Sequence, residues 1–366
     1  MQITELSLRN FRNHENLELS FSPGATTIVG RNGRGKTNIV EAVHYLATLG
    51  SHRVSQDAPL IRNGHNTATI LANVEKHNRK AKAELTINFP GTNKASLNGS
   101  SLTRTRDILG LVTTVIFSPE DLDLVKGEPS ARRKFIDELS TLLAPKFSST
   151  RSDFERTLKQ RNTLLKSLGR RSPSTQARAT LDAWDEQLVQ YGSEIIFTRL
   201  ENIKRIEPFV SEFGTTISGD TEPLHLSYVN NWLPPEPFAK SDVANLFKSE
   251  LENRNKDEID RGITLVGPHR DDLNIQLSDM PAKGYASHGQ SWSIAIALRL
   301  AAFKTLREHD DDPILILDDV FAELDEKRRS RLISIIADVE QTLITAAVAE
   351  DIPKGLPSHQ LLLEDN

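Results

Sequence analysis

Gly30-Arg31-Asn32-Gly33-Arg34-Gly35-Lys36-Thr37 (GRNGRGKT) is the stretch that decides the fold. It fits the phosphate-loop spacing G-x-x-x-x-G-K-[ST]. Thr26 to Val29 ahead of it is β-branched and apolar, so it reads as a buried strand. Lys36 to Leu49 behind it carries Ile39, Val40, Val43, Leu46 and Ala47 at helical spacing. A glycine-rich turn with a solvated lysine would need neither neighbour. Between a strand and a helix, the glycines let backbone N–H groups turn inward on phosphate oxygens. The helix N-terminus adds its positive dipole end. Lys36 then stands as the cation for β and γ oxygens, and Thr37 as a hydroxyl ligand for Mg²⁺.

A second piece lies nearly three hundred residues on. Pro313 to Val320 reads PILILDDV, an apolar strand ending in two aspartates. A run apolar at every position suits a parallel strand covered on both faces. Asp318 is placed to bind Mg²⁺ through water, and Asp319 to orient an attacking water. Capping of the next element remains open for one of the two. FAELD (Phe321 to Asp325) follows, with Asp325 as N-cap of a helix over 326–336. The third piece is SHGQ, Ser287 to Gln290, ahead of a helix over 291–306. Taken alone, a serine there is an N-cap. Its place some thirty residues before the aspartate pair favours a nucleotide role for Ser287, Gly289 and Gln290.

These pieces resemble the ABC-type ATPases, in the branch shared with the SMC chromosome proteins. In that branch SHGQ corresponds to the signature motif and FAELD to the D-loop. Within it the chain is similar to the RecF family of bacterial recombination mediators. The similarity is carried by ITELSLRNFRNHENLELSFSPG at the start, FSPEDLDLVKGEPSARRKFID from Phe117, LVGPHRDDL from Leu265, KGYASHGQSWS and ILILDDVFAELD. The resemblance implies an α/β fold: an ABC-type P-loop ATPase head with a helical lobe inserted between the phosphate loop and the signature motif. Residues 1–125 and 262–366 are expected to form the head, and 126–261 the lobe.

The chain departs from a general ABC ATPase in three places. Transporters carry a glutamine where Ser118-Pro119-Glu120-Asp121 stands. Here Ser118 reads as a cap, Pro119 as the first helical residue, and Glu120 and Asp121 as dipole partners. The usual catalytic glutamate is Asp319, one methylene shorter. The usual switch histidine is missing from LITA (Leu343 to Ala346), where Thr345 is the polar residue. These changes imply slow ATP hydrolysis that times a conformational state. The resemblance further implies ATP and Mg²⁺ as cofactors, an ATP-dependent homodimer, binding to gapped, single-strand or junction DNA, and work with RecR and RecO to load RecA. A transporter ATPase subunit would need the missing glutamine and a shorter helical insert. A nuclease of the overcoming-lysogeny type would need a further acidic domain.

Composition narrows the classes. Zero cysteines exclude disulfides and thiolate chemistry. No run of 18 apolar residues and no signal-peptide pattern is present, so a cytoplasmic protein away from the membrane is expected. A net charge of −5 argues against whole-molecule attraction to DNA. Lys126 to Arg171 nevertheless holds twelve basic residues against five acidic ones. Such local charge can line phosphates in a groove, or be an ordinary solvated helix face. The acidic excess lies around 310–312.

Long helices are expected over 129–168 and 175–210, joined at an exposed GRRSPST tip (169–175), with another over 236–254. Asn98-Gly99 signals a hairpin turn. Strands are expected at 265–267, 273–277 and 360–363. Arg270 is open to a phosphate or to an ion pair with Asp271 or Asp272. Trp184 and Trp292 read as core, and the histidines show no metal-ligand spacing.

Overall fold

The computed structural model describes residues 1–169, 174–220, 222–234, 239–309, 312–348, 352 and 357–363. In chain order the first elements are β1 (Gln2–Phe11), β2 (His14–Ser20), β3 (Gly24–Val29), α1 (Lys36–Thr48), β4 (Thr67–Lys76) and β5 (Arg79–Asn88). Next come β6 (Lys94–Leu97), β7 (Ser100–Ser101), β8 (Thr114–Phe117) and α2 (Leu122–Lys126). The helical stretch holds α3 (Pro129–Leu143), α4 (Lys146–Leu168), α5 (Thr175–Ser218), β9 (Leu224–Val229) and α6 (Lys240–Arg261). Last come β10 (Asp272–Leu277), β11 (Met280–Pro281), the single turn α7 (Ala282–Tyr285), α8 (His288–His309), β12 (Ile314–Asp318), α9 (Glu326–Ile336), β13 (Gln341–Ala346) and β14 (Ser358–Leu362).

The chain divides into two compact units. The first comprises Met1–Lys126, Ile206–His225 and Leu277–Asn366; the second comprises Gly127–Arg205 and Leu226–Gln276. Residues 206–225 thus group with the first unit and 262–276 with the second, unlike the split expected at 125/126 and 261/262.

The first unit holds two sheets. One is antiparallel, in the order β2-β1-β4-β5-β6-β7. Its strands alternate, as β4 does with Ala68, Ile70, Ala72 and Val74 buried, because one face meets the core. Asn98 and Gly99 both take positive φ, 52° and 80°, and turn β6 into β7 as their sequence signals. The other sheet runs β14-β3-β13-β12-β8 and is parallel throughout. β12 is buried at every position, as its unbroken apolar run requires. Because β3, β13 and β12 are neighbours and point the same way, their carboxyl ends gather at one edge. Ligands of open parallel sheets bind outside such an edge.

The second unit is built on Phe147, Phe154, Leu188, Ile195, Phe247, Leu251 and Val266. Helix 129–168 is broken into α3 and α4 at Ala144-Pro145, where proline lacks the amide that would continue the ladder. α5 runs on to Ser218, through Pro208. The expected start of the next helix at Glu236 and most of the GRRSPST tip lie outside the described residues. α6 is described from Lys240 to Arg261. Leu265–Gly267 is irregular chain and not a strand, and it leads into a turn over 268–270 in which Arg270 N donates to Gly267 O at 2.8 Å. Trp292 is buried as expected, but Trp184 is only half-buried.

Two basic residues of the 126–171 run are core ion pairs. Arg161 is fully buried, donating to Asp185 at 2.5 Å and Thr264 at 2.8 Å, and pairing with Glu258 at 2.7 Å. Arg132 is buried against Asp272, with both contacts under 3 Å. They are removed from any solvent-facing basic surface because a buried guanidinium needs its carboxylates. Asp271 and Asp272 are likewise not partners of Arg270. Arg132 takes Asp272, Tyr228 donates to Asp271 at 2.6 Å, and Arg270 donates to the Thr264 carbonyl.

Arg161→Gln leaves the fully buried Glu258 and the half-buried Asp185 without their cation, so a stability loss of about 3–5 kcal/mol is expected in urea unfolding. Arg156→Gln, on an exposed i,i+3 pair with Asp153, is expected to change stability by no more than about 0.5 kcal/mol. Equal losses in the two variants would contradict this division.

Candidate nucleotide-binding site

The phosphate loop leaves the end of β3 and enters α1, as the sequence requires. Gly33 and Gly35 take φ of +86° and +93°, which L side chains rarely adopt. Gly35 has a second constraint. A Cβ there would overlap the side chains of Asn13 and His14, and His14 Nε2 lies 3.1 Å from the Gly35 carbonyl. The loop after β1 therefore packs directly on the glycines. Sequence reasoning missed this contact, because nothing in the FRNH string marks a loop as a packing partner. Arg12 anchors that loop by donating to both oxygens of the buried Glu41 on α1, at 2.8 and 2.6 Å.

Lys36 is buried, and its Nζ lies within the loop it closes. It donates to the Gly30 carbonyl at 2.7 Å and lies 3.5 Å from the Arg31 carbonyl and 3.4 Å from Asn32 Oδ1. Arg31, Asn32 and Gly33 are exposed and Arg34 is half-buried. Glycine backbone and one ammonium thus converge on a single small volume, a geometry that suits phosphate oxygens.

Thr37 joins this loop to the aspartates. Its hydroxyl donates to Asp318 Oδ1 at 3.0 Å. Asp318 ends β12 and is 2% exposed. Thr345 on β13 stands beside it in register and donates to the same oxygen at 2.7 Å. Burial pushes the Asp318 carboxyl up to about 6; the neighbouring Asp319 charge adds to this, while the Thr345 and Thr37 donors oppose it. His52 Nε2 lies 4.0 Å from Asp318 Oδ2. This neighbour from the loop after α1 was not singled out in the sequence either. A hydroxyl and a carboxylate oxygen side by side are hard donors of the kind that hold Mg²⁺ together with substrate phosphates. Among the described residues no group of three or more His, Cys, Asp or Glu could hold a metal by itself.

Asp319 follows in the left-handed conformation, φ 52° and ψ 20°, and starts the 3₁₀ turn Val320–Glu323. It is half-buried, beside the edge where the phosphate loop sits. Asp325 caps α9 as expected, accepting from Arg328 N at 2.9 Å.

Ser287, Gly289 and Gln290 form a separate cluster at the start of α8. Ser287 N donates to Gln290 Oε1 at 2.9 Å, and Gln290 N donates to Ser287 Oγ at 3.2 Å. This is a capping box, so the N-cap role of Ser287 is real. Gly289 lies against Arg328, whose guanidinium would be 3.2 Å from an added Cβ. α8 is tied back to the end of β8 by Arg299, which donates to the buried Asp121 at 2.7 Å. The bonds of Ser287 and Gln290 run to each other and to Glu222, and those of the aspartates to Thr37 and Thr345. No helix among the described residues is long and apolar enough to cross a membrane.

Asp318 yields a pH signature for the ligand-free protein. Its folded-state pKa is raised, so its contribution to stability is present at low pH and is lost as pH rises from about 4 to about 6. Asp318→Asn removes that penalty. The variant should exceed the parent by up to about 3 kcal/mol in denaturant unfolding near pH 8, with the gap closing below about pH 4. A gap that does not change with pH would contradict the burial of an ionising group here.

The family described as "RecF/RecN/SMC N terminal domain" matches residues 2–355. The chain is 48% identical over 356 residues to the DNA replication and repair protein RecF of Streptomyces avermitilis, covering 96% of this chain and 95% of that protein. It is 47% identical to the protein of the same name from Frankia alni, covering 97% and 96%. A solved structure of "the recombination mediator protein RecF-ATP in RecFOR pathway" superposes with a TM-score of 0.88 at 30% identity, covering 96% of this chain and 93% of that one. The Smc head domain from Pyrococcus furiosus shares the fold alone, at TM-score 0.51 and 19% identity, covering 94% and 89%.

Proposed function

This chain belongs to the RecF family of DNA replication and repair proteins, within the RecF/RecN/SMC ATPases, and from that premise we propose that it is an ATP-gated DNA clamp. The reading is carried by one observation. The P-loop hydroxyl of Thr37 and the strand-end carboxylate of Asp318 meet at 3.0 Å, while the signature cluster faces its own neighbours. Such a chain has a nucleotide half-site and a second half that needs a partner copy.

Lys36 and the amides of residues 30–37 bind the phosphates. Thr37 and Asp318 hold Mg²⁺, which when bound neutralises phosphate charge. Asp319 orients the attacking water, and its shorter side chain makes hydrolysis slow. Ser287 Oγ, Gly289 and the N-terminus of α8 approach the γ-phosphate held by the opposite protomer. The capping box supports this, because it orders the start of α8 before any ligand arrives. Closure of the homodimer on ATP brings two basic surfaces onto gapped or single-strand/duplex junction DNA. With Arg132 and Arg161 committed to buried pairs, the exposed Lys146, Arg156, Lys159 and Lys166 are left to meet phosphates. The name of the solved relative places that protein in the RecFOR pathway. On that basis this chain works with RecR and RecO to load RecA.

The test is mass in solution by light scattering, with and without ATP and gapped duplex. The parent should become a dimer with ATP and hold the DNA. Ser287→Arg should bind ATP on its own phosphate loop yet stay a monomer, since an arginine overfills a close-packed interface. A Ser287→Arg protein that dimerises on ATP like the parent would remove the clamp.

A further inference from the structure

Thr345 stands on β13 between the two aspartates, directly beside Asp318 in the parallel register. It is 2% exposed. Its hydroxyl does two jobs at once. Its proton goes to Asp318 Oδ1 at 2.7 Å, and its lone pair receives the backbone amide of Asp319 at 2.9 Å. Asp319 Oδ1 is 3.4 Å away, long for a hydroxyl bond but within a rotation of the same O–H.

The amide contact matters because the chain leaves the sheet at Asp319. Beyond the strand end, that N–H is met by the Thr345 side chain. Asp319 itself lies in the left-handed region, at φ 52°. Freed from that bond, a non-glycine residue would tend to relax towards negative φ, and its carboxylate would swing with it.

We propose that Thr345 is a positioning residue for ATP hydrolysis, holding Asp319 in its left-handed conformation through the amide and linking it to Asp318 through one shared proton. This rests on the assignment of Asp319 as the water-orienting carboxylate. When the Asp318 oxygen is engaged by another ligand, the Thr345 proton is free to turn to Asp319 Oδ1. The hydroxyl thereby tells the water-orienting group whether the strand-end carboxylate is occupied. Serine can do both jobs, whereas valine and alanine can do neither. The methyl group of Thr345 is dispensable.

Thr345→Val keeps the shape and removes the hydroxyl; Thr345→Ser keeps the hydroxyl. Single-turnover and steady-state hydrolysis are measured beside the dissociation constant of a fluorescent ATP analogue. Thr345→Val should lower kcat by about tenfold or more with the dissociation constant within about threefold of the parent, and Thr345→Ser should restore kcat to within about threefold. Thr345→Ala serves in the same way should valine not be tolerated on the strand. In a double variant with Asp319→Asn, loss of the hydroxyl should add nothing further. Parental kcat in Thr345→Val, equal losses in the valine and serine variants, or lost nucleotide binding would each overturn the proposal. Asp319→Asn hydrolysing like the parent would instead overturn the assignment of Asp319, whatever Thr345→Val does.

Discussion

The structure of the site turns on one buried carboxylate. Asp318 sits at the end of an all-apolar strand, where water cannot solvate its charge. Two hydroxyls reach it from neighbouring elements, Thr37 from the phosphate-loop helix and Thr345 from β13. Each bond fixes an element of the site. The first holds the start of α1 against β12, and with it the loop that encloses Lys36. The second holds β13 against the point where Asp319 leaves the sheet. A carboxylate buried in this way is unstable as a charge until a cation meets it, which suits a site built to receive one.

The signature cluster has a different logic. Its serine and glutamine are satisfied by each other, so the start of α8 is ordered without ligand. Arg299 and Asp121 then hold the helix at the end of β8. Order before binding reduces what an incoming phosphate must organise. On the proposed clamp reading, the residues that form a helix cap also prepare a surface for the partner's nucleotide, and the two roles do not compete.

Much of this was legible in the sequence because the signals are local. GRNGRGKT between an apolar strand and an amphipathic run, ILILDD as a covered strand, Asp325 as a cap and Asn98-Gly99 as a turn all depend on a few adjacent residues. What was not legible depends on partners far along the chain. Arg161 reads as one more basic residue on a helix, and only the approach of Asp185 and Glu258 shows it to be core. Asn13 and His14 read as loop residues until the fold sets them on Gly35. Thr345 was visible as a polar residue where a histidine is usual, but its two bonds appear only when β12 and β13 lie side by side. The break at Pro145 was different: a proline inside a helical pattern is a local signal, and it prevails over amphipathic spacing.

The central claim is that phosphate loop and signature act on one nucleotide from two copies of the chain. Mixing Lys36→Met with Ser287→Ala, which removes the hydroxyl without filling the interface, tests it most directly. Each variant alone should be impaired, the first through its phosphate loop and the second through its signature. A mixed dimer joins the intact loop of the Ser287→Ala protomer to the intact signature of the Lys36→Met protomer, so ATP hydrolysis should return at up to about half the parental rate per dimer. A mixture as impaired as its components would place both motifs on the same chain's nucleotide and contradict the clamp.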